Sequence, residues 1–388
     1  MTKLLLFALL FSKDTIITTL ALRTPAHLSA QIPLTLRILN SSATPLKNIL
    51  LEWSLQSNGS VTKKGKIPIP TLAPNQPTLI RLPLPLPDDS AGESFLQLRY
   101  RSSPAATLLS EQQLSIKPYQ PRLAITPDGE ITQSDENDIF TIHSPTIRIS
   151  FNRQTGWLVH YEIRGVDLLD DTLGLRSNFW WPGYNDSATD SGWQAATRDP
   201  HLQLFSNTTS PEQIIVRTEY SLPATACLLH LSYSINANGE MVITQQVEPD
   251  TSQPLSREWP IPRFGMQWFL PAGYDSITEY GPLPSTWIGI FHDRPALPLP
   301  SAPNPRATAT HTEIRWWTIT DKEGNGLQFV ADTMLLNESA LHPLDSDANH
   351  PGSRPQVQIS IDRPVPAMPA TNYRYTYKVK PLIASVLR

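Results

Sequence analysis

Ile147-Arg148-Ile149-Ser150-Phe151-Asn152-Arg153-Gln154-Thr155-Gly156-Trp157-Leu158-Val159-His160-Tyr161-Glu162-Ile163 decides the fold class of this chain. Ile147, Ile149 and Phe151 alternate with Arg148 and Ser150, the period of two expected when one face of a strand is buried and the other meets water. Asn152 to Gly156 supplies turn residues, and Trp157 to Ile163 reads as the returning strand. Gly165 turns the chain again before Val166-Asp167-Leu168-Leu169. Phe179-Trp180-Trp181-Pro182 follows, with Asn185-Asp186 just beyond.

The same short-strand pattern extends in both directions. Between about Asp14 and Lys117, Leu34, Leu36 and Ile38 alternate with Thr35 and Arg37, and the run 49–55 ends at Asn58-Gly59, a strong hairpin signal. Runs at 79–84 and 95–100 continue the series, so 14–117 is expected to be an immunoglobulin-like sandwich. Residues 118–138 read as a linker, because Pro118, Pro121 and Pro127 precede the acidic run Asp135-Glu136-Asn137-Asp138. From 139 to 388 one large antiparallel assembly is expected. Residues 232–235 and 241–244 flank Asn236-Ala237-Asn238-Gly239-Glu240 as a hairpin, and Tyr373, Tyr375 and Tyr377 alternate with polar residues in the last strand. Trp316 and Trp317 are neighbours in a strand and should point to opposite faces.

Composition agrees with an all-β chain. The 388 residues include 38 prolines, about twice the usual ~5%, and each interior proline costs a helix about 3 kcal/mol. A (β/α)8 barrel needs about 250 residues of alternating strands and helices, and no such alternation is visible. A net charge of −4 gives no reason to invoke nucleic acid, whose binders carry a basic face. The single cysteine, Cys227, excludes an internal disulfide framework and reads as a buried, small apolar residue. Zinc-type Cys/His spacing, a phosphate-binding glycine loop and G-x-S-x-G are all missing, so neither a metal nor a cofactor is expected. Met1-Thr2-Lys3 followed by Leu4 to Phe11 imitates the start of a signal peptide. Ser12-Lys13-Asp14 offers no small-residue cleavage site, and the apolar run is too short to span a membrane. A first strand, or a start inside a longer coding region, are the alternatives.

Read in order, F-N-R-Q-T-G-W-L from Phe151, G-V-D-L-L from Gly165 and F-W-W-P-G-Y-N-D from Phe179 resemble the opening of the C-terminal sandwich of family 2 β-galactosidases. Pro262-Arg263-Phe264-Gly265-Met266, Tyr280-Gly281-Pro282, Asp293-Arg294, Arg315-Trp316-Trp317-Thr318-Ile319-Thr320-Asp321 with Gly324-Asn325-Gly326-Leu327, Asn337-Glu338-Ser339-Ala340-Leu341-His342 and Ile359-Ser360-Ile361-Asp362 extend the resemblance along the large domain. The run from Trp53 through Pro74 to Tyr100 is similar to the sandwich that precedes it. The chain departs from the family where Trp181 replaces an arginine, at Leu283-Pro284-Ser285-Thr286, between Pro300 and Arg306, and at Arg363-Pro364-Val365-Pro366-Ala367-Met368-Pro369, where the family has a glycine-rich turn and a sugar-packing tryptophan.

The resemblance implies an immunoglobulin-like sandwich followed by a galactose-mutarotase-like supersandwich. It also implies a C-terminal or small-subunit portion of a β-galactosidase, with galactoside or another carbohydrate as ligand and a barrel-bearing subunit as partner. The family's catalytic glutamates lie on that barrel, so the matched segments carry none of them and the chain is expected to be inactive alone. Glu162, Glu219, Glu258 and Glu279 are scattered and read as solvated surface. Asn185 and Asp186 are the best site candidates, since the pair has a family counterpart and hydrogen-bonding capacity; Trp181 and Tyr184 could stack on a sugar ring. The bland readings are a self-capping turn for Asn185-Asp186, core or interface positions for the aromatic residues, and a structural ion pair for Asp293-Arg294. The alternative function is a non-catalytic carbohydrate-binding or assembly protein with a degenerate site. A gene remnant and aldose epimerase chemistry are more distant readings, and a cytoplasmic complex is favoured over secretion.

Overall fold

The computed structural model describes residues 16–20, 33–85, 93–126, 128–170, 174–179, 188–252, 261, 263–271, 273–274, 276–282, 288–295, 311–338, 356–363 and 372–384. The chain forms two compact units, Met1–Gln120 and Pro121–Arg388.

The first unit contains β1 (Ile16–Leu20), β2 (Pro33–Asn40), β3 (Leu46–Ser57), β4 (Ser60–Leu72), β5 (Pro77–Pro85), β6 (Ser94–Ser102) and β7 (Leu108–Lys117). Alternation sorts them into two antiparallel sheets, β1-β2-β5 and β4-β3-β6-β7. Leu36 and Ile38 of one sheet and Leu51, Leu98 and Tyr100 of the other are fully buried in a common core. Asn58 and Gly59 have φ of 49° and 82°, the two positive values of a two-residue type I′ hairpin turn, and they set β3 against β4 with Ser57 opposite Ser60. Gly65 is spatially required, because a Cβ there would lie 2.5 Å from the Trp53 ring.

The second unit begins with β8 (Thr132–Glu136), β9 (Ile139–His143), β10 (Ile147–Asn152), β11 (Leu158–Ile163) and β12 (Val166–Asp167), ordered β12-β11-β10-β9-β8 in one sheet. The opening hairpin pairs as its pattern suggests: Ile147 faces Ile163, Arg148 faces Glu162 and Ile149 faces Tyr161. Thr132–Glu136 falls within the segment read as linker. Its residues are largely exposed, so β8 is held by pairing to β9 and carries no apolar alternation that could reveal it.

A larger sheet follows, built from β13 (Leu175–Asn178), β14 (His201–Thr209), β15 (Gln213–Leu222), β16 (Cys227–Asn236), β17 (Met241–Pro249), β18 (Phe264–Pro271), β19 (Ser276–Pro282), β20 (Ile288–Pro295), β21 (His311–Thr320), β22 (Gly326–Glu338), β23 (Gln356–Arg363) and β24 (Tyr373–Leu382). Its main path runs β13-β18-β23-β22-β24-β17-β16-β15-β14, and β19, β20 and β21 branch from β22. The one helix among the described residues, α1 (Ala188–Arg198), lies between β13 and β14; it contains no proline, and Arg198 in its last turn complements the negative helix end. No helix among the described residues is long and apolar enough to cross a membrane.

The two sheets of this unit share a core rich in aromatic side chains. Phe151 meets Tyr233 at 5.0 Å, Trp157 stacks on Tyr220 at 4.6 Å, and Tyr161 lies 6.4 Å from Trp268. Such pairs contribute about 0.5–1.5 kcal/mol each beyond area burial. Trp317 is fully buried and stacks on Phe329, whereas Trp316 is part-buried against Tyr280; adjacent residues do take opposite faces. Cys227 is only partly buried, because it begins β16 at the sheet end. Its Sγ donates to the Thr225 carbonyl at 3.4 Å, and burial pushes the thiol up.

Candidate functional site

Trp181, Tyr184, Asn185 and Asp186 lie outside the described residues, as do Trp180 and Glu258. The frame on either side of 180–187 is described. Phe179 at the end of β13 is fully buried and lies 5.6 Å from Trp193 of α1. Its backbone N–H donates to Thr197 Oγ1 at 3.0 Å, and the same hydroxyl donates to the Trp193 carbonyl. The end of β13 is therefore tied to the middle and last turn of α1 where the segment leaves the strand. Asp293-Arg294 lies on β20, with Arg294 opposite Ile277; its side chains are outside the description.

The interior of this unit also holds polar side chains. Arg176 stands 5.3 Å over the Trp157 ring and donates to the Leu175 carbonyl, and burial depresses its basicity. Tyr220 and Tyr233 lie in the same core, and burial raises both phenols far above their ordinary range. Gln245, on β17, is fully buried.

Of the scattered carboxylates, Glu162 and Glu219 are engaged by Arg148 and His230, whereas Glu279 on β19 is buried, against the expectation of a solvated surface position. Glu162 accepts from Arg148 Nε at 3.1 Å and Nη2 at 2.6 Å, and His160 Nε2 lies 3.3 Å from the same oxygen. These contacts, Arg148 foremost, hold the Glu162 carboxyl below its usual range. Asp167 brings a third donor atom to this group, within 4.8 Å of the other two.

A groove of about 290 Å³ opens on the outer face of the larger sheet, lined by Leu204, Arg217, Glu219, His230, Gln246 and Arg374 among others. Cross-strand register builds it. Leu204 faces Glu219, Glu219 faces His230, His230 faces Gln246, and Gln246 faces Arg374. The adjacent row is Ser206, Arg217, Ser232, Thr244 and Thr376. These are the outward residues of strands whose alternate positions, such as Val216, Leu229, Ile243 and Tyr375, are fully buried. His230 is fixed from both sides, with Nδ1 3.3 Å from Glu219 and Nε2 3.2 Å from Glu248. Gln246 Nε2 donates to the other Glu248 oxygen at 3.0 Å. None of these residues except Glu219 was a sequence-level candidate. Their polarity is visible in the alternation of each strand, but the register that aligns five strands is not local information.

Residues 143–362 match the family described as Beta galactosidase small chain, and residues 36–117 match Beta-galactosidase, domain 4. A β-galactosidase of Priestia megaterium (strain DSM 319 / IMG 1521) is 23% identical over 326 residues, covering 76% of this chain and 30% of that protein. The chain thus spans less than a third of that relative. Among solved structures, galactose 1-epimerase from Lactobacillus acidophilus NCFM aligns with a TM-score of 0.36 and 8% identity, covering 66% of this chain and 98% of that one. The GH36 α-galactosidase AgaB from Geobacillus stearothermophilus aligns with a TM-score of 0.35 and 8% identity over 64% and 41% of the two chains. The two family matches follow the order of the two compact units and define a β-galactosidase component. The chain belongs to the β-galactosidase small-chain family.

Proposed function

We propose that this chain supplies the small-chain part of a β-galactosidase: it completes a galactoside site through Trp181, Tyr184, Asn185 and Asp186, and acts with a catalytic barrel provided by another region or another chain. The carrying observation is the ordered pair of family matches, domain 4 followed by small chain, each falling within one compact unit. The chemistry needs that partner. A retaining glycosidase uses two carboxyls about 5–5.5 Å apart, and Glu162 and Glu219 are instead held by Arg148 and His230. The contact of Phe179 with Trp193 and Thr197 of α1 supports a positioning role, since it anchors the chain where the segment carrying the sugar-binding candidates leaves β13.

Mixing this chain with a separately produced barrel-bearing portion of a β-galactosidase should give a complex on size-exclusion chromatography and restore hydrolysis of a chromogenic galactoside. The chain alone should give none. Hydrolysis by the chain alone, or failure to form a complex with any gain in activity, would overturn the proposal.

A further inference from the structure

We infer that the outer-face groove between β14 and β24 binds a saccharide unit carrying a carboxylate, a hexuronate, with Arg217 as the anchor for the charge. This site is formed by strands of the second unit alone and does not depend on the galactosidase reading.

The charge pattern of the groove carries the inference. Glu219 is engaged by His230 Nδ1, and His230 is engaged on its other nitrogen by Glu248. Arg217 stands in the next row, two residues along β15 from Glu219, and is exposed. Its guanidinium donates to the neutral Thr208 Oγ1 at 3.3 Å, and among the described residues no carboxylate pairs with it. A guanidinium presents a planar fork of donors that matches a carboxylate in bidentate fashion. The groove therefore offers, on β15, a guanidinium with no carboxylate partner among the described residues, with Arg374 across it on β24.

The rest of the lining suits a hydroxylated ring. Ser232 and Thr244 can donate or accept, Gln246 offers both functions, and Glu219 retains acceptor capacity beside its imidazole contact. Leu204 is half-exposed at the end of the row, an apolar surface for the C–H face of a sugar. The volume of about 290 Å³ lies at the small end of ligand sites, which run from about 300 to 1,000 Å³, and so fits one pyranose. The lining residues stand on hydrogen-bonded strands, so their backbone positions are set before a ligand arrives, and the His230 and Gln246 side chains are also held by Glu219 and Glu248, which lowers the ordering cost of binding.

Isothermal titration of the full chain with D-galacturonate and with D-galactose at low salt tests the assignment. Galacturonate should bind one to one, and at least about 10-fold more tightly than galactose, the ratio expected from about 1.4 kcal/mol of charge-assisted contact. Raising the salt should weaken galacturonate more than galactose. Arg217→Gln should remove most of that 10-fold preference, while Arg217→Lys should keep the charge and recover part of it. Folding of each variant is checked by circular dichroism; if Arg217→Gln does not fold, Ser232→Val, which takes a hydroxyl from the groove floor, should weaken galacturonate and serves in its place. Absence of galacturonate binding, equal binding of the two sugars, or an unchanged preference in folded Arg217→Gln overturns the inference. Because these titrations use the chain alone, their failure leaves the complementation experiment untouched, and failure of complementation leaves them untouched.

Discussion

Two glycines separate the cost of backbone conformation from the cost of space. Gly156 has φ of 76°, and a Cβ there would sit 2.4 Å from Tyr220 Oη and 2.6 Å from Leu202 Cδ1. Gly165 has φ of 80° but nothing within 4 Å of its would-be Cβ. Gly165→Ala should therefore cost only the left-handed penalty of about 1–2 kcal/mol. Gly156→Ala must also displace the stacked Trp157–Tyr220 pair and should cost about 3 kcal/mol or more. Urea unfolding of both variants checks this; equal losses would show that the Tyr220 contact is not restrictive. Both glycines were legible as turn residues in the sequence. The contact that distinguishes them joins residues 64 positions apart, 156 and 220, and no local pattern encodes it. The expected site residues Asn185 and Asp186 were legible only through the family resemblance.

At the level of elements, Arg148 on β10 and Glu162 on β11 form a cross-strand ion pair on the exposed face of the opening hairpin. The folded carboxyl of Glu162 is held below its ordinary value. The resulting stabilisation is thus fully present above the usual carboxylate range and disappears as pH falls through the depressed folded value. Both side chains are partly exposed, so the pair is worth no more than about 1 kcal/mol. Arg148→Gln should lower stability by that amount at pH 7 and converge on the parent chain near pH 2, measured by denaturant titration at each pH. The strands themselves were readable wherever one face was buried and the other wet, as in 147–151, 232–235 and 373–377. Thr132–Glu136 was not, because its largely exposed residues carry no burial signal. Helix α1 was hidden for a related reason: it is a short insertion in a β-rich, proline-rich chain, and it depends on tertiary contacts such as the docking of Trp193 and Ala196 into the core.

For the whole molecule, the all-β class followed from proline content and alternation, and the family match followed from ordered short motifs. Sheet membership did not follow, because β22 joins both β23 and β24 and β17 pairs β24 across more than a hundred residues. The outward groove escaped notice for the same reason. If the contact between β13 and α1 positions the segment proposed to bind galactoside, Asp186→Ala should leave the reconstituted complex intact on size-exclusion chromatography. It should also reduce kcat/KM of the complex by at least about 10-fold, the loss of one charged hydrogen bond to substrate. Loss of the complex together with the activity would assign Asp186 to assembly instead.

The strands of the groove serve two masters in alternation, with Val216 facing the core and Arg217 the solvent, then Leu229 and His230, then Ile243 and Thr244. Such a ledge can be rewritten by point substitution, one ligand contact at a time, without a single core residue changing. An inserted or deleted residue has the opposite consequence: it rotates the remainder of the strand by one face and sends arginine and histidine inward together with valine and leucine outward. Descendants of this chain should therefore diversify in what the ledge holds through substitutions, and keep the lengths of β15, β16 and β17 fixed while doing so.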